Sequence, residues 1–146
     1  MTPLFPEVDL ERLLVVSPHY DDAVLGSAHL VDAAGAALVV TVFGGRPARP
    51  PKRVTSWDRR CGFTPDDDVL AIRREENAQA MAELDVDARD LDLVDRQYRR
   101  HRCRPDDVTT ALAPVVAGWR PTTVALPLGI GHSDHWCIGK PKHLVK

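Results

Sequence analysis

The stretch "RLLVVSPHYDDAVLG", residues 12–26, changes its pattern halfway along. Its first half is a short apolar run, rich in Leu and Val, that stops at Ser17-Pro18, and such a run is typical of a buried β-strand. Its second half opens with aspartates and continues at helical spacing as far as Gly35, which predicts an α-helix. A strand that runs directly into a helix is the beginning of a β-α-β unit.

Three further segments predict strands, because each is short, apolar and bounded by glycine, proline or aspartate. They are "AALVVTVFGG" at residues 36–45, "DLDLVD" at residues 90–95 and "TTVALPLG" at residues 122–129. Between them lie segments with helical features, so strands and helices alternate along the chain.

Two of these segments predict the remaining helices. Residues 64–86 begin with Thr-Pro, carry acids in the first turn and place apolar residues on one helix face. Residues 104–119 predict a helix that breaks or kinks near Pro114, since proline removes a backbone donor. Residues 46–63 are rich in Pro and Arg without periodicity, and a loop of this length is a candidate lid or substrate contact.

The order β-α-β-α-β-α-β predicts an α/β domain with a parallel sheet covered by helices on both faces, because parallel strands need crossover connections. We expect a Rossmann-like strand order 3-2-1-4 in a single domain of residues 1–146. In such sheets, ligands bind beyond the carboxyl ends of the strands, where the strand order reverses. Strands one and four flank that point.

Composition narrows the classes of function. The chain has 146 residues, of which 44% are hydrophobic and 27% charged, and a formal charge of −2. No global charge attracts nucleic acid, and no apolar run approaches the roughly 20 residues of a membrane helix. The start "MTPLFPEVDLERLL" has acids and prolines where a secretory signal is basic and then apolar. We therefore expect a cytoplasmic protein with neither nucleic acid nor membrane as partner.

Neither the cysteines nor the one basic segment indicates a functional site. Cys61, Cys103 and Cys137 are few, odd in number and scattered, which favours reduced thiols over a disulfide framework or a zinc knuckle. The segment "QYRRHRCR", residues 97–104, could contact an anion, but a solvated loop is the favoured interpretation.

Two distant segments carry the candidate chemistry. "PHYDD" follows the first predicted strand and contains His19, Asp21 and Asp22, whereas "GHSDH" follows the fourth and ends at His135. The predicted strand order brings both segments to one crevice. Imidazole and carboxylate are ligands suited to zinc, and a catalytic zinc keeps a position open for water, whose proton a nearby carboxylate can accept. This combination favours metal-assisted hydrolysis.

At these residues the chain resembles the zinc-dependent N-deacetylases of the LmbE-like or PIG-L type. "SPHYDDAVLG" is similar to the family's P-H-x-D-D signature, "PLGIGHSDH" to its later H-x-D-H, and "IRREENAQAMAEL" to its R-x-x-E helix. The resemblance covers about Leu13 to His135. It implies removal of an N-acetyl group from an N-acetylglucosamine-type amino sugar or its conjugate.

The resemblance also implies roles for individual residues. His19, Asp22 and His135 would hold Zn²⁺ or another divalent metal, and Asp21 would be the general base. His132 would stabilise the oxyanion or protonate the leaving amine, with Asp134 orienting it. For the substrate, Arg73 would contact the sugar while Glu76 keeps that arginine in place, and Asp95 is a weaker candidate for a sugar hydroxyl.

The chain departs from the family pattern at three points. Tyr20 and Ala23 stand where the better-known signature has Pro and Glu, which bears on substrate identity more than on metal binding. Family members usually continue well past the H-x-D-H motif, so we expect the C-terminal part of the family fold to be missing. The tail from Trp136 does not resemble the expected following helix, because Gly139 and Pro141 interrupt it.

Alternatives remain for the fold and for individual residues. The chain could be a truncated, non-catalytic domain that binds a sugar or nucleotide, within a homo-oligomer. Dinucleotide binding is a weaker alternative, because no G-x-G-x-x-G follows the first strand. Asp21 or Asp22 could simply cap a helix, His132 and His135 could be loop residues, and Arg73 could join a charge network on its own helix.

Overall fold

The computed structural model describes residues 8–49, 51 and 53–139, which form a four-stranded parallel sheet with helices on both faces. The elements follow one another as β1 (Arg12–Ser17), α1 (Asp22–Ala33), β2 (Ala36–Thr41), α2 (Ser56–Arg60), α3 (Val69–Glu83), β3 (Asp87–Asp90), the 3₁₀ helix η1 (Arg96–Tyr98), α4 (Pro105–Trp119), β4 (Thr123–Ala125) and α5 (Ser133–Ile138).

The strand order is β3-β2-β1-β4, which confirms the predicted order 3-2-1-4. β1 lies in the centre, where Val15 pairs with Val39 of β2 on one side and with Ala125 of β4 on the other. Among the described strands, β3 pairs only with β2 and lies at the edge of the sheet. The carboxyl ends of β1 and β4 consequently lie side by side.

Alternate residues of the central strands fill two apolar layers, as the period of a β-strand requires. Leu14 and Val16 face α4 and α5, whereas Leu13 and Val15 face α1 and α3. Each layer is closed by helix residues that are buried at the sheet, among them Leu112 of α4. Burial on both sheet faces explains why the sequences of β1 and β2 are continuous apolar runs.

The third strand lies earlier than predicted. β3 covers Asp87–Asp90, whereas the sequence predicted a strand at residues 90–95. An edge strand with largely exposed side chains needs only backbone pairing, so its charged residues give no apolar signal. The apolar residues Leu91 and Leu93 instead pack against the layer beneath α4.

The helices also differ in detail from the prediction. α3 begins at Val69, because the Asp68 side chain accepts a hydrogen bond from the amide of Ala71 and caps the helix there. α4 runs through Pro114 without a break. The proline lies on the exposed side of the helix, while Leu112 and Val115 are buried against the sheet and hold the helix on both sides of it.

Two cysteines correct the expectation of reduced thiols. Cys103 and Cys137 form a disulfide across 34 residues of sequence, with their Cα atoms 6.2 Å apart, and Cys61 is free and exposed. The segment before α4 passes beside α5 in space, and the sequence separation of the two cysteines gives no sign of this. Among the described helices, none is long and apolar enough to cross a membrane.

Candidate functional site

Both His-containing segments emerge at the same edge of the sheet. His19 lies two residues after the end of β1, and His132 precedes α5 in the connection that leaves β4. Because β1 and β4 are paired neighbours, these connections meet at the carboxyl ends of the strands, at the point where the strand order reverses.

Three imidazole rings form a cluster at this point. The ring centroid of His19 lies 5.0 Å from that of His132 and 5.5 Å from that of His135. The centroids of His132 and His135 are 5.7 Å apart. Each ring offers a nitrogen within 4.8 Å of a nitrogen of the other two. Rings at these separations are close enough to share one ion.

The carboxylate of Asp22 lies between two of these rings. Its Oδ2 is 3.2 Å from Nδ1 of His19 and 3.3 Å from Nε2 of His135, and it also accepts a hydrogen bond from the His19 amide at 2.9 Å. Two imidazoles and a carboxylate make a donor set suited to zinc, so the residues present fit that ion.

His19 faces a carboxylate through each of its ring nitrogens. Nε2 lies 3.1 Å from Oδ2 of Asp134 and 3.9 Å from Oδ2 of Asp95, opposite the contact of Nδ1 with Asp22. Burial opposes protonation of His19, but the hydrogen bonds with Asp134 and Asp22 outweigh it and raise its pKa to about 9. Without a metal, the ring is therefore a cation held between acids.

Asp134 is the buried centre of a second network. Its side chain is 0% exposed and accepts hydrogen bonds from the Arg96 amide at 3.0 Å and from the guanidinium of Arg99. Burial favours the neutral acid, but the hydrogen bonds from His19, Arg99 and Arg96 prevail and hold the pKa of Asp134 far below its usual value.

Arg99 is an exception to the solvated loop expected at residues 97–104, in which residues 100–102 and 104 are exposed. Its side chain is only 16% exposed and lies with its guanidinium carbon 5.0 Å from the centroid of Phe43, in contact with the buried Asp134. Nothing in the sequence distinguishes Arg99 from its arginine neighbours, because its pairing with Asp134 depends on the position of η1 beside α5.

Asp21 adopts a backbone conformation that is unusual for its residue type. With φ 80° and ψ −31° it lies in the left-handed half of the φ range, and its side chain forms no capping hydrogen bond to α1. The side chain lines the cleft instead. Partial desolvation in the cleft, followed by the negative charge of Asp22, raises the pKa of Asp21, which makes it a better proton acceptor.

His132 combines a structural contact with a free ring nitrogen. It caps α5, with Nδ1 accepting a hydrogen bond from the Asp134 amide at 3.3 Å. Partial desolvation, assisted by the positive charge of His19, lowers the pKa of His132 and favours the neutral ring. A neutral ring that accepts at Nδ1 carries its proton at Nε2. Asp134 thus contacts His132 through its backbone, whereas its carboxylate contacts His19.

A cleft of about 830 Å³ opens beside the histidine cluster. Arg73, Glu76 and Asp95 line it together with the histidines and Asp21. Asp95 also accepts hydrogen bonds from the amide and side chain of Gln97, which fixes its carboxylate at the start of η1. Apolar side chains also form part of its wall: Val24, Leu25, Phe43, Trp57, Phe63 and Leu70.

Arg73 is held by a residue from outside its own helix. Its Nη2 lies 2.9 Å from Oδ1 of Asp58 in α2, a partner that the sequence analysis did not identify. The prediction that Glu76 keeps Arg73 in place is therefore replaced by this pair. The signal for Asp58 in the sequence was weak, because one acid within an aperiodic loop resembles any exposed loop residue.

The two departures from the family signature have local explanations. The hydroxyl of Tyr20 donates to Oδ2 of Asp90 at 3.1 Å, which connects the loop after β1 to the end of β3. Ala23 is buried in the layer beneath α1, where a larger polar side chain would have to displace its neighbours.

Comparison with known proteins agrees with this geometry. A family model described as GlcNAc-PI de-N-acetylase, PIG-L, matches residues 14–141. Among curated proteins, no match was found.

Several solved structures are similar to the chain. The A40926 pseudoaglycone deacetylase Dbv21 is 33% identical with a TM-score of 0.77, over 89% of this chain and 56% of that one. A triple mutant of a deacetylase involved in teicoplanin biosynthesis is 32% identical with a TM-score of 0.73, over 87% and 55%. The zinc-inhibited form of the teicoplanin deacetylase Orf2 is 30% identical with a TM-score of 0.72, over 87% and 60%.

The chain spans between one half and two thirds of the length of these structures. Residues 14–141, which the family model matches, include both His-containing segments. By its sequence match, its fold and its site, the chain belongs to the PIG-L family of de-N-acetylases.

Proposed function

We propose that this chain is a zinc-dependent hydrolase that removes the N-acetyl group from an N-acetylglucosamine-type amino sugar or its conjugate. The observation that carries the proposal is the carboxylate of Asp22, which lies within 3.3 Å of ring nitrogens from both distant segments. A binding protein without catalysis has no need of this set beside an acid with a raised pKa.

In the proposed enzyme, His19, Asp22 and His135 hold the metal. A bound zinc would polarise the amide carbonyl and lower the pKa of water. Asp134 contacts the Nε2 side of His19, and a carboxylate on the far ring nitrogen of a ligating histidine fixes its tautomer and orientation.

The remaining residues move protons and stabilise charge. Asp21 accepts the proton of the attacking water as general base, which its raised pKa supports. A neutral His132 donates a hydrogen bond from Nε2 to the developing oxyanion, and the Asp134 amide holds the ring in that tautomer. Asp21 then passes the proton taken from the water to the nitrogen of the leaving amine as the C–N bond breaks. The reaction releases acetate and a free amine.

The cleft supports a conjugate as substrate. Arg73 and Asp95 line it and are our candidates for the residues that bind the sugar hydroxyls. A cleft of about 830 Å³ with an apolar wall is larger than a single sugar requires, so we assign the apolar wall to the group attached to the sugar. Dbv21, described as a pseudoaglycone deacetylase, is consistent with such a substrate.

Location and assembly belong to the same proposal. A cytoplasmic location remains a prediction, and the Cys103–Cys137 disulfide weighs against it, because disulfides persist mainly in oxidising compartments. Association with a second copy likewise remains a prediction. The activity proposed here is that of proteins of which this chain spans only part.

Metal analysis combined with acetate release tests the proposal. The purified chain is loaded with zinc, and acetate release from 4-nitrophenyl N-acetyl-β-glucosaminide is measured. We expect one zinc per chain, and Asp21→Asn should retain the zinc but lose roughly 100-fold or more in rate. Asp22→Asn should lose the zinc itself. Asp68→Asn, at an exposed residue outside the cleft, is the matched control.

Each alternative outcome has a clear meaning. Zinc without acetate release would favour the non-catalytic binding domain of the same fold. Failure to bind zinc at all, in a folded chain, would refute the assignment of His19, Asp22 and His135. An Asp21→Asn variant with the activity of the parent chain would remove the proposed general base.

A further inference from the structure

The apolar wall of the cleft includes a segment in which one acid is buried against the rest of the domain. We call residues 55–63 the wall segment; it contains α2, and Trp57, Cys61 and Phe63 line the cleft from it. Asp58 is the next residue after Trp57 but points the other way and is 1% exposed. A buried charge of this kind is tolerated only when it is paired.

Two side chains pair with Asp58. Arg73 of α3 lies 2.9 Å from Oδ1, and the hydroxyl of Tyr98 in η1 donates to Oδ2 at 2.7 Å. Within the described part of the chain, Oδ1 has no aligned hydrogen bond, so its contact with Arg73 is ionic in character. Removing the Asp58 charge would leave the arginine, itself only 19% exposed, without this partner.

The contacts of Arg73 come from the wall segment rather than from α3. Besides Asp58, its Nη2 lies 3.8 Å from Sγ of Cys61, and its guanidinium carbon is 5.4 Å from the centroid of the Phe63 ring. The guanidinium that faces the cleft is therefore oriented by the wall segment, and the wall segment is in turn attached to α3 by the guanidinium.

A second attachment joins the wall segment to η1. Thr55 caps α2 and its hydroxyl donates to the side chain of Gln97 at 2.7 Å, next to the contact between Tyr98 and Asp58. The amide of Arg96 in the same short helix donates to Asp134 beside the histidines. One 3₁₀ helix thus connects the wall segment to the proposed reaction centre.

From these contacts we infer that Asp58 is a positioning residue for substrate binding: it orients Arg73 and holds Trp57 at the wall of the cleft, without contacting the substrate itself. The inference rests on the proposed function where it concerns substrate, but the attachment of the wall segment can be tested without turnover.

Limited digestion with trypsin tests the attachment. The bonds after Arg59 and Arg60 lie in or directly after α2, and cleavage there reports how often the wall segment opens. We expect Asp58→Asn to accelerate this cleavage at least tenfold, about 1.4 kcal/mol in the opening equilibrium. Cleavage after Arg12 in the central strand reports global unfolding and should rise less.

Matched variants distinguish the effect of removing the buried Asp58 charge from that of removing an exposed carboxylate. Asp68 also pairs with an arginine, Arg46, but both side chains are 57% exposed, so Asp68→Asn should change the cleavage rate less than twofold. Tyr98→Phe removes one contact of Asp58 and keeps its ion pair, so it should act in the same direction with a smaller effect. Equal rates for Asp58→Asn and Asp68→Asn would overturn the inference.

Kinetics with 4-nitrophenyl N-acetyl-β-glucosaminide test the positioning role. Asp58→Asn should raise KM about tenfold while kcat stays within about threefold and zinc content is unchanged. If Asp58 acts through Arg73, the double variant Asp58→Asn/Arg73→Lys should be no worse than Arg73→Lys alone. Additive losses, or a fall in kcat together with loss of zinc, would overturn the role.

Failure of the proposed function would be distinguishable from failure of this inference. If the parent chain releases no acetate, the digestion experiment still decides whether Asp58 acts through Arg73. Arg73→Lys should then open the wall segment as Asp58→Asn does, and unchanged cleavage in Arg73→Lys would refute the coupling of the two residues.

Discussion

Replacement of Asp134 by asparagine should be among the most destabilising single changes at the site. Asparagine has almost the same shape, so the substitution removes a negative charge without leaving a cavity. The charge lies in a side chain that is 0% exposed and is surrounded by Arg99, the Arg96 amide and Nε2 of His19. No other described carboxylate is as completely removed from water.

The expected loss follows from these contacts. Breaking a buried ion pair by removing one partner costs roughly 3–5 kcal/mol, because the other charge stays buried without compensation. Arg99 is 16% exposed and asparagine keeps one acceptor oxygen, so we expect the lower end, about 3 kcal/mol. A domain of this kind has a free energy of unfolding of roughly 5–15 kcal/mol.

Urea unfolding of the metal-free protein measures the loss. The comparison uses the midpoint at constant m-value, with Asp68→Asn as control, where the exposed pair should contribute less than about 1 kcal/mol. The pKa of Asp134 is lowered in the fold, so its contribution is present above the unfolded pKa of about 4 and declines as the pH falls below it. The difference between parent and variant should therefore shrink in acid. A loss no larger than that of Asp68→Asn would refute the reasoning.

Three further predictions concern other parts of the fold. The chain has two tyrosines, and burial together with nearby carboxylates raises the pKa of Tyr20 to about 12 and that of Tyr98 well above its usual value. Their stabilising contribution should persist to about pH 10 and vanish as the pH rises further, and absorbance at 295 nm should show phenolate formation near pH 10 only in concentrated urea. Cys103→Ser should cost about 4 kcal/mol in urea unfolding, given the 34-residue separation that the disulfide closes, and an unchanged midpoint would contradict the pairing. Gly45→Ala should lower the free energy of unfolding, because a Cβ there would lie 2.5 Å from the backbone of Asp92. Gly26→Ala, in open space on α1, should raise the free energy of unfolding by roughly 0.5–1 kcal/mol, as measured in urea.

The sequence predicted those parts of the fold that burial on two sheet faces controls. β1 and β2 are continuous apolar runs because helices cover both sides, and the strand order is the Rossmann-like order 3-2-1-4 that we expected for such a sheet. β3 was placed too late in the chain because an edge strand is held by backbone pairing that leaves no apolar pattern. Pro114 was given too much weight, because packing of α4 on the sheet outweighs one missing hydrogen bond.

At the site, too, the sequence predicts the residues that the sheet positions but not those that loop packing positions. Residues directly after β1 and β4 could be placed together from topology alone, and His19 and His135 are indeed neighbours. Asp58 and Arg99 could not be identified, because their importance arises from contacts between separate loops. Such contacts depend on how irregular segments pack, and neither periodicity nor spacing reports that.

The positive φ of Asp21 lowers the stability of the fold at the proposed reaction centre. A residue with a Cβ is strained by roughly 1 kcal/mol or more at such a φ, and glycine is not. Asp21→Gly should therefore yield a more heat-resistant protein than Asp21→Ala, although both lack the carboxylate. Selection for thermal stability alone would favour glycine at this position. An aspartate is therefore retained only where selection for another property outweighs its cost in stability.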